Sequence, residues 1–248
     1  MKKLLPLFAI GFFFFSCKKE EPAPEPTPVT TGVLKGKVTH YDQFGTKYTN
    51  NLNTTTVNIV GTNRATLTDA NGDYTFESTS TGNYTLTFNK PGCGQAILQD
   101  IQYKYTDTTN YNASIADIPS FSITNAYVKD TLWFSGTLAG IYYNANTSPV
   151  NNKASTVAII GKSAAITISD PLSYVNFAPT SLINTMDYGR FLSYSFLSQT
   201  YGFKKDSIIF VKIYPVANTG AGYIDNVLNR PVYKAYGNPY ATFTLTMP

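Results

Sequence analysis

The feature that most limits the fold of this chain is a repeated alternation of apolar and polar residues over short segments. The segments 34–38, 74–77, 84–88 and 209–214 all show it. Because successive side chains of a β-strand point to opposite faces of a sheet, this period of two indicates strands with one buried face. No long segment between residues 33 and 116 has the 3.6-residue period of an amphipathic helix. The pattern therefore predicts an all-β chain.

The length of the chain allows two domains. About 216 of its 248 residues follow a proline-rich segment, which is long for one small sandwich and sufficient for two domains of about one hundred residues. Pro119 interrupts the alternation between two strand-rich regions. We therefore predict two tandem β-sandwiches, over residues 33–116 and 117–248. The last strands, at 209–214 and 241–247, resemble those of an immunoglobulin-like or fibronectin-type sandwich in pattern alone.

The first residues of the chain have the order of a bacterial lipoprotein signal. Two lysines precede an uncharged, mostly apolar run over residues 4–15. At about 1.5 Å per residue, a helix over this run is too short for the ~30 Å hydrocarbon core, so a transmembrane helix is not expected. Residues 14–17, Phe-Phe-Ser-Cys, resemble a lipobox. We predict a signal peptide over residues 1–16 and lipidation of Cys17, which would anchor the mature chain in a membrane.

The segment after the lipidated cysteine predicts a tether and a location. Prolines at alternate positions of residues 22–28 favour an extended polyproline II path, so residues 17–32 are expected to form a linker. Residues 18–21, Lys-Lys-Glu-Glu, resemble the surface-export signal of lipoproteins from bacteria that forage on glycans with outer-membrane uptake complexes. We predict a lipid-anchored outer-membrane protein that faces the cell surface, with a periplasm-facing anchor as the alternative.

Several motifs in the first predicted domain resemble one family. The most specific of them is the turn sequence of residues 68–74, Thr-Asp-Ala-Asn-Gly-Asp-Tyr. With it, residues 33–116 resemble the carboxypeptidase regulatory-like domain, a seven-stranded transthyretin-like sandwich, over about a third of the chain. The resemblance implies a non-catalytic module. An insertion over residues 42–54 is longer and richer in asparagine than is usual in that family. The motifs that carry the resemblance are 36–38, 57–62, 65–76 and 82–88.

Residues typical of active sites are scarce. Once Cys17 is acylated, Cys93 is the only thiol, which excludes a disulfide framework. Cys93 lies between two glycines with no histidine or second cysteine nearby in sequence, so a buried or idle thiol is expected. His40 is the only histidine, which argues against a serine triad and rules out most imidazole-based zinc sites. We predict no catalytic residue, no metal site and no cofactor.

The acidic turn between two of the strands has two interpretations. Asp69, Asn71 and Asp73 have the spacing that begins an EF-hand calcium loop. That loop requires glycine at its sixth position and a bidentate acid at its twelfth, where this chain has Tyr74 and Ser80. A plain turn between strands is therefore the prediction.

Tyrosines in two segments of the second domain are the candidate ligand-binding residues. The segments 140–144 and 218–238 are predicted to be long loops. Tyrosine rings on loops offer broad contact area and can stack on sugar faces, while Asn and Asp bond hydroxyl groups. The alternative is that the rings fill the open ends of the sandwich. The candidate residues are Tyr142, Tyr143, Tyr223, Tyr233 and Tyr236.

The sequence leaves two functions open. The formal net charge is +4, and no basic block is interleaved with aromatic residues, so nucleic acid is not an expected partner. The first function is a non-catalytic, lipid-anchored protein with structural or protein-interaction roles. The second is a surface glycan-binding lipoprotein of a polysaccharide uptake system. The partners would be the membrane, through the lipid, and a protein or polysaccharide. One exposed tyrosine platform would favour glycan binding, and buried or scattered tyrosines would favour the first function.

Overall fold

The computed structural model describes residues 30–133, 136–146, 155–170, 172–177, 188–240 and 242–248. The predicted signal peptide, the lipidation site Cys17 and nearly all of the linker lie outside these residues. Within them the chain is all-β, with strands throughout and one short helix, which confirms the predicted fold class. None of the helical structure in these ranges is long and apolar enough to cross a membrane.

The first sandwich consists of two sheets, of three and four strands. The order of the strands in the sheets is β4-β1-β7 and β3-β2-β5-β6. Seven strands in two sheets agree with the transthyretin-like architecture that the sequence resemblance implies. The strands are β1 (Thr31–Tyr41), β2 (Thr56–Ile59), β3 (Ala65–Leu67), β4 (Asp73–Ser80), β5 (Gly82–Asn89), β6 (Ala96–Tyr103) and β7 (Ala113–Ala116).

The core of the first sandwich follows from the alternation in the sequence. Leu34 and Val38 of β1, with Leu86 and Phe88 of β5, are almost completely buried in one cluster. The threonines and lysines between them face away from this core. Each alternating strand therefore contributes one apolar face to the space between the sheets.

The acidic segment before β4 is a turn, as predicted. Asp69 accepts hydrogen bonds through Oδ1 from the backbone N–H groups of Asn71 and Asp73, both at 2.8 Å. Gly72 has a φ of 83°, a conformation that glycine adopts without strain. The hydrogen bonds from the backbone hold the pKa of the Asp69 carboxyl below its usual value. The carboxylate thus stabilises the turn.

The second sandwich also has two antiparallel sheets, of four and three strands. Their orders are β11-β10-β13-β16 and β12-β9-β8, and β14 and β15 form a separate hairpin. Two such sheets packed face to face are the architecture of immunoglobulin and fibronectin domains. The elements are β8 (Ser122–Trp133), β9 (Gly136–Asn146), β10 (Ser155–Gly161), β11 (Ser173–Phe177), β12 (Tyr188–Ser193), α1 (Tyr194–Tyr201), β13 (Ile208–Val216), β14 (Gly222–Asp225), β15 (Arg230–Tyr233) and β16 (Phe243–Thr246).

Strand β10 is buried on both faces. Ala158 and Ile160 belong to the core between the two sheets, whereas Val157 and Ile159 belong to a second cluster on the outer face of the four-stranded sheet. All seven residues of β10 are buried. The outer cluster also contains Ala116, the last residue of β7. The two sandwiches therefore share apolar contacts.

Two predictions about the second sandwich are wrong. Residues 140–144 were expected in a loop but lie within β9, because Ile141 and Tyr143 alternate into the core. The segment 218–238 contains the β14–β15 hairpin instead of an open loop.

The inserted loop of residues 42–54 bridges the two sandwiches. Asn218 of the second sandwich donates to the backbone oxygens of Gln43 and Phe44, each at 3.2 Å. The Phe44 ring packs against Phe121 with centroids 6.3 Å apart. The Gln43 side-chain oxygen accepts from the Ser120 N–H at 2.8 Å. The insertion is thus part of the junction between the sandwiches.

Candidate functional site

The structure places the five candidate tyrosines in different surroundings. Tyr143 is completely buried in the core between the sheets, so it cannot contact a ligand, which corrects its assignment as a binding residue. Tyr142 is half-buried on the opposite face of β9, where its ring stacks on Tyr127 with centroids 5.2 Å apart. Tyr236 packs edge-on against Tyr214 at 5.6 Å. These three tyrosines do not form one exposed platform.

The two remaining candidates lie on the β14–β15 hairpin. Tyr223 and Tyr233 line a shallow depression of about 270 Å³ together with Ile224, Pro231 and Val232. Both tyrosines are half-buried. The lining is mostly apolar, because the strands of the hairpin contribute apolar side chains to it. This depression is the part of the predicted tyrosine surface that the structure retains.

The turn of the hairpin exposes apolar side chains. Val227 is 88% exposed, Ile224 59% and Leu228 52%. Asp225 Oδ1 accepts from the backbone N–H groups of Val227 and Leu228, at 3.0 and 2.8 Å. These hydrogen bonds hold the pKa of Asp225 below its usual value. We call residues 224–228 the hairpin tip; its backbone is ordered although its apolar side chains face outward.

Side chains of the first sandwich also hold the hairpin tip. The backbone N–H of Asn226 donates to Gln99 Oε1 at 2.9 Å, and its side-chain amide donates to Asp100 Oδ2 at 2.8 Å. The Gln99 amide donates to Asp225 Oδ2 at 3.3 Å. The tip is therefore held in place by hydrogen bonds from both sandwiches.

A second group of functional side chains meets at the junction, and sequence reasoning missed it. His40 lies near the end of β1, Cys93 in the loop between β5 and β6, and Asp117 directly after β7. His40 Nε2 is 2.7 Å from Asp117 Oδ1 and 3.2 Å from Cys93 Sγ, and Sγ is 3.5 Å from the same oxygen. These residues are 24 to 77 positions apart in sequence, so no local motif signals them.

Backbone hydrogen bonds hold these three residues in place. The Asp117 N–H donates to the Tyr41 oxygen at 3.0 Å, which joins the segment after β7 to the end of β1. Gly92 and Gly94, which flank Cys93, form backbone hydrogen bonds with the two residues that flank Asp117, each at 2.9 Å. These backbone hydrogen bonds thus fix the approach of the three side chains.

Tyr48 of the inserted loop completes the group. Its hydroxyl donates to Asp117 Oδ2 at 2.6 Å, and its ring packs on His40 with centroids 4.4 Å apart. The hydrogen bond to Asp117 raises the pKa of Tyr48 to about 12. Because Tyr48 occupies Oδ2, Oδ1 of Asp117 is directed towards His40 and Cys93. We call His40, Tyr48, Cys93 and Asp117 the junction cluster.

The geometry of the junction cluster is not that of a catalytic triad. In a triad, the nucleophile and the acid bind different nitrogens of the histidine ring. Here Cys93 and Asp117 both contact Nε2 of His40. Burial and the adjacent Asp117 raise the pKa of the Cys93 thiol to about 12. At neutral pH the thiol is protonated, and a thiol in that state is a poor nucleophile.

Comparison with known families confirms the resemblance seen in the first domain. The model of the carboxypeptidase regulatory-like domain matches residues 34–116. The match covers the seven strands of the first sandwich except the start of β1. No curated protein matches the chain significantly.

The solved structures that match this chain share little sequence with it. A candidate carbohydrate-binding protein from Bacteroides uniformis is 13% identical, with a TM-score of 0.36, over 87% of this chain and 99% of its own. A DUF3823 family protein from Bacteroides ovatus is 9% identical, with a TM-score of 0.34, over 88% and 100%. The FN1–FN3 domains of chicken CNTN1 are 9% identical, with a TM-score of 0.33, over 78% and 55%. These values do not identify a shared function.

Proposed function

We propose that this chain is a non-catalytic, lipid-anchored outer-membrane protein that presents the hairpin tip to a protein partner at the cell surface. The observation that carries the proposal is the exposure of Val227, Ile224 and Leu228 on one ordered turn. Adjacent exposed apolar side chains on a folded surface are typical of interaction sites. A large part of their apolar area would be removed from water by a partner.

The rigidity of the hairpin tip supports this function. Ordering a loop on binding reduces affinity, so a surface that is ordered beforehand binds more tightly. Asp225 accepts hydrogen bonds from the backbone of the turn itself, and Gln99 and Asp100 of the first sandwich form hydrogen bonds to the turn. Because these hydrogen bonds hold the tip in the free protein, most of the contact energy would remain for binding.

The sequence supports the anchor and the tether. Lipidation at Cys17 would hold the protein at the membrane, and the extended linker of residues 17–32 would place the sandwiches some distance from it. Labelling of cells with a fatty-acid analogue tests the anchor: we expect label on the wild-type chain and none on Cys17→Ser. Protease added to intact cells tests the surface location, and complete protection would contradict it.

Photo-crosslinking tests the hairpin tip directly. A photoreactive residue at position 227 of the lipidated chain, expressed in its own bacterium, is expected to give one discrete protein adduct. Leu228→Asp should abolish the adduct, because a charge in the contact disfavours burial. A photoreactive residue at Leu67 is the matched control, since Leu67 is 60% exposed on β3 of the first sandwich. Identical adducts at both positions, or none at 227, would contradict the proposal.

Glycan binding is the second candidate, supported by the depression that Tyr223 and Tyr233 line. An aromatic, apolar depression can stack on a sugar ring. Retardation on polysaccharide affinity gels tests it, with Tyr223→Ala and Tyr233→Ala as the variants. Tyr105→Ala, at an exposed tyrosine of the first sandwich, is the control. Retardation that both hairpin variants lose would support this function in place of the protein partner.

A further inference from the structure

The junction cluster brings together three different metal-binding atoms. A thiol sulfur, an imidazole nitrogen and a carboxylate oxygen, from Cys93, His40 and Asp117, all lie within 4.8 Å of one another. His40 is buried, and the side chain of Asp117 is 32% exposed. The group is therefore enclosed on one side and accessible to solvent on the other.

We propose that His40, Cys93 and Asp117 form a binding site for Zn²⁺, with Tyr48 as the residue that positions the carboxylate. The site is separate from the hairpin tip and does not depend on the function proposed for it. It also differs from the prediction made from the sequence, where one histidine with no local partner argued against a zinc site. The other two ligands come from the β5–β6 loop, which contains Cys93, and from the segment directly after β7, which begins with Asp117.

The distances between the ligand atoms are close to those of a zinc site. With Zn–S near 2.3 Å and Zn–N and Zn–O near 2.0–2.1 Å, tetrahedral ligands are separated by about 3.3–3.6 Å. The separation of Cys93 Sγ from Asp117 Oδ1 is 3.5 Å, and that from His40 Nε2 is 3.2 Å. The largest change is needed between Nε2 and Oδ1, which are 2.7 Å apart and have to separate further. A small rotation of the Asp117 side chain provides this movement.

The contact pattern at His40 also favours a metal. Two ligand atoms converge on the same ring nitrogen, Nε2, so a cation placed between them replaces the contacts that Nε2 now makes. Tyr48 holds the other carboxylate oxygen of Asp117, at 2.6 Å. Hydrogen bonds of this kind to ligating carboxylates orient them and strengthen metal binding.

The charges and protons of the binding step balance. The Zn–S bond replaces the S–H bond of Cys93, and the proton passes to solvent. One thiolate and one carboxylate then neutralise the two charges of the cation, and the imidazole of His40 binds as an uncharged ligand. A site without net charge suits partly buried surroundings. The combination of sulfur and imidazole favours zinc over Ca²⁺ and Mg²⁺, which prefer oxygen ligands.

A metal at this position would join three segments of the junction. The end of β1, the β5–β6 loop and the segment after β7 would share one ion. Three protein ligands leave the fourth tetrahedral position for water, on the side where Asp117 is exposed. Binding should therefore stabilise the junction between the sandwiches.

Cobalt titration tests the site, because Co²⁺ replaces Zn²⁺ in such sites and shows a thiolate-to-metal absorption band. The sample is the full-length chain in detergent, with Cys17→Ser so that Cys93 is the only thiol, and without a polyhistidine tag. We expect the band to saturate at one Co²⁺ per chain and to disappear when Zn²⁺ is added. Absence of the band in this protein would overturn the proposal.

Substitutions of the proposed ligands distinguish a three-ligand metal site from binding of Co²⁺ to the thiol alone. In the same background, Cys93→Ser should lose the band, and His40→Gln and Asp117→Asn should each weaken binding at least tenfold. Tyr48→Phe should weaken it about tenfold without removing a ligand. Affinity unchanged in both His40→Gln and Asp117→Asn would overturn the proposal.

Matched controls exclude general effects of these substitutions. Asp107→Asn and Tyr105→Phe make the same chemical changes in the loop between β6 and β7, and should leave cobalt affinity within twofold of the parent. Circular dichroism of each variant shows whether it is folded. If His40→Gln does not fold, the Tyr48→Phe result decides: an affinity equal to that of Tyr105→Phe would overturn the positioning role and the site with it.

Discussion

At the scale of single residues, Asp225 shows how one carboxylate orders an exposed surface. It accepts two backbone hydrogen bonds inside the hairpin tip and one from Gln99 of the first sandwich. We predict that Asp225→Ala increases hydrogen exchange at residues 226–228 at least tenfold and leaves the cores unchanged. Hydrogen-exchange mass spectrometry measures it, with Asp170→Ala as the control. Unchanged exchange in the tip would show that the strands alone order it.

The same carboxylate predicts a dependence on pH. Because the pKa of Asp225 is lowered in the folded protein, the order it provides is present above its unfolded pKa. That order is lost as the pH falls through the folded pKa. Exchange in the tip, corrected for intrinsic rates, should therefore increase on acidification in the wild type more than in Asp225→Ala.

Tyr74 predicts the response of the first sandwich to alkali. Its hydroxyl is buried and donates to the Tyr111 backbone oxygen at 2.5 Å, and burial raises its pKa well above the ordinary value of 10.0. The stability that the neutral hydroxyl provides is present below pH 10 and is lost as the pH rises towards the folded pKa. Tyr74→Phe should lower the free energy of unfolding by about 1 kcal/mol at pH 7 and reduce its loss above pH 10.

Urea unfolding between pH 7 and 11 measures this effect. The control is Tyr105→Phe, because Tyr105 is exposed, and its substitution should change the free energy of unfolding by less than about 0.5 kcal/mol. A pH profile of Tyr74→Phe that runs parallel to the wild type would contradict the prediction.

At the scale of elements, β10 carries more of the stability than its length suggests. Ile159 and Ile160 are both completely buried, one on each face of the strand. We predict that Ile159→Ala and Ile160→Ala each lower the free energy of unfolding by about 2–5 kcal/mol. Ile208→Ala is the control, because Ile208 is 55% exposed at the start of the neighbouring β13. Urea unfolding measures all three, and a small loss at Ile159 would show that the outer cluster is loosely packed.

The strands and turns also show which parts of the fold could be predicted from the sequence. Alternation predicted β1, β4 and β5 of the first sandwich, because each has one buried and one polar face, and Asn71-Gly72 predicted the turn before β4. The same signal was present in β9, where Ile141 and Tyr143 are buried. The segment was nevertheless predicted as a loop, and burial of the strand in the sheet outweighs the preference of its glycine and asparagine for loops.

The junction cluster could not be predicted from local signals. His40 and Asp117 are 77 positions apart, and they meet because β1 and β7 are paired in parallel. Such pairing depends on the topology of the whole sandwich and leaves no mark at either residue. Tyr48 comes from the inserted loop, whose course also depends on contacts with the second sandwich. The hairpin tip was missed for a similar reason, since its exposure depends on what packs beneath it.

At the scale of the whole molecule, the shared cluster on the outer face of β10 links the two sandwiches. It joins Ala116 of the first sandwich to Val157, Val216 and Ala235 of the second. The inserted loop adds hydrogen bonds through Asn218. With a linker between them and no such contacts, the sandwiches would move independently. These contacts instead favour cooperative unfolding of the two sandwiches in one transition.

Gly94 offers a way to break this coupling. A Cβ atom at Gly94 would overlap the backbone of Ala235, in the shared cluster, so the two surfaces must separate to accommodate it. We predict that Gly94→Ala lowers the stability by about 1–3 kcal/mol and splits the single unfolding transition of the wild type into two. Calorimetry of the full-length chain detects both changes.

Gly82→Ala is the matched control for this experiment. The nearest atoms to a Cβ atom there belong to Tyr84, at 3.5 Å, which is ordinary contact. It should leave one transition. Gly94 adjoins Cys93 of the junction cluster, so Zn²⁺ offers a second test. Binding of Zn²⁺ at the junction cluster should raise the midpoint temperature of the first unfolding transition seen on heating Gly94→Ala. Two transitions already present in the wild type would show that the shared cluster does not couple the sandwiches.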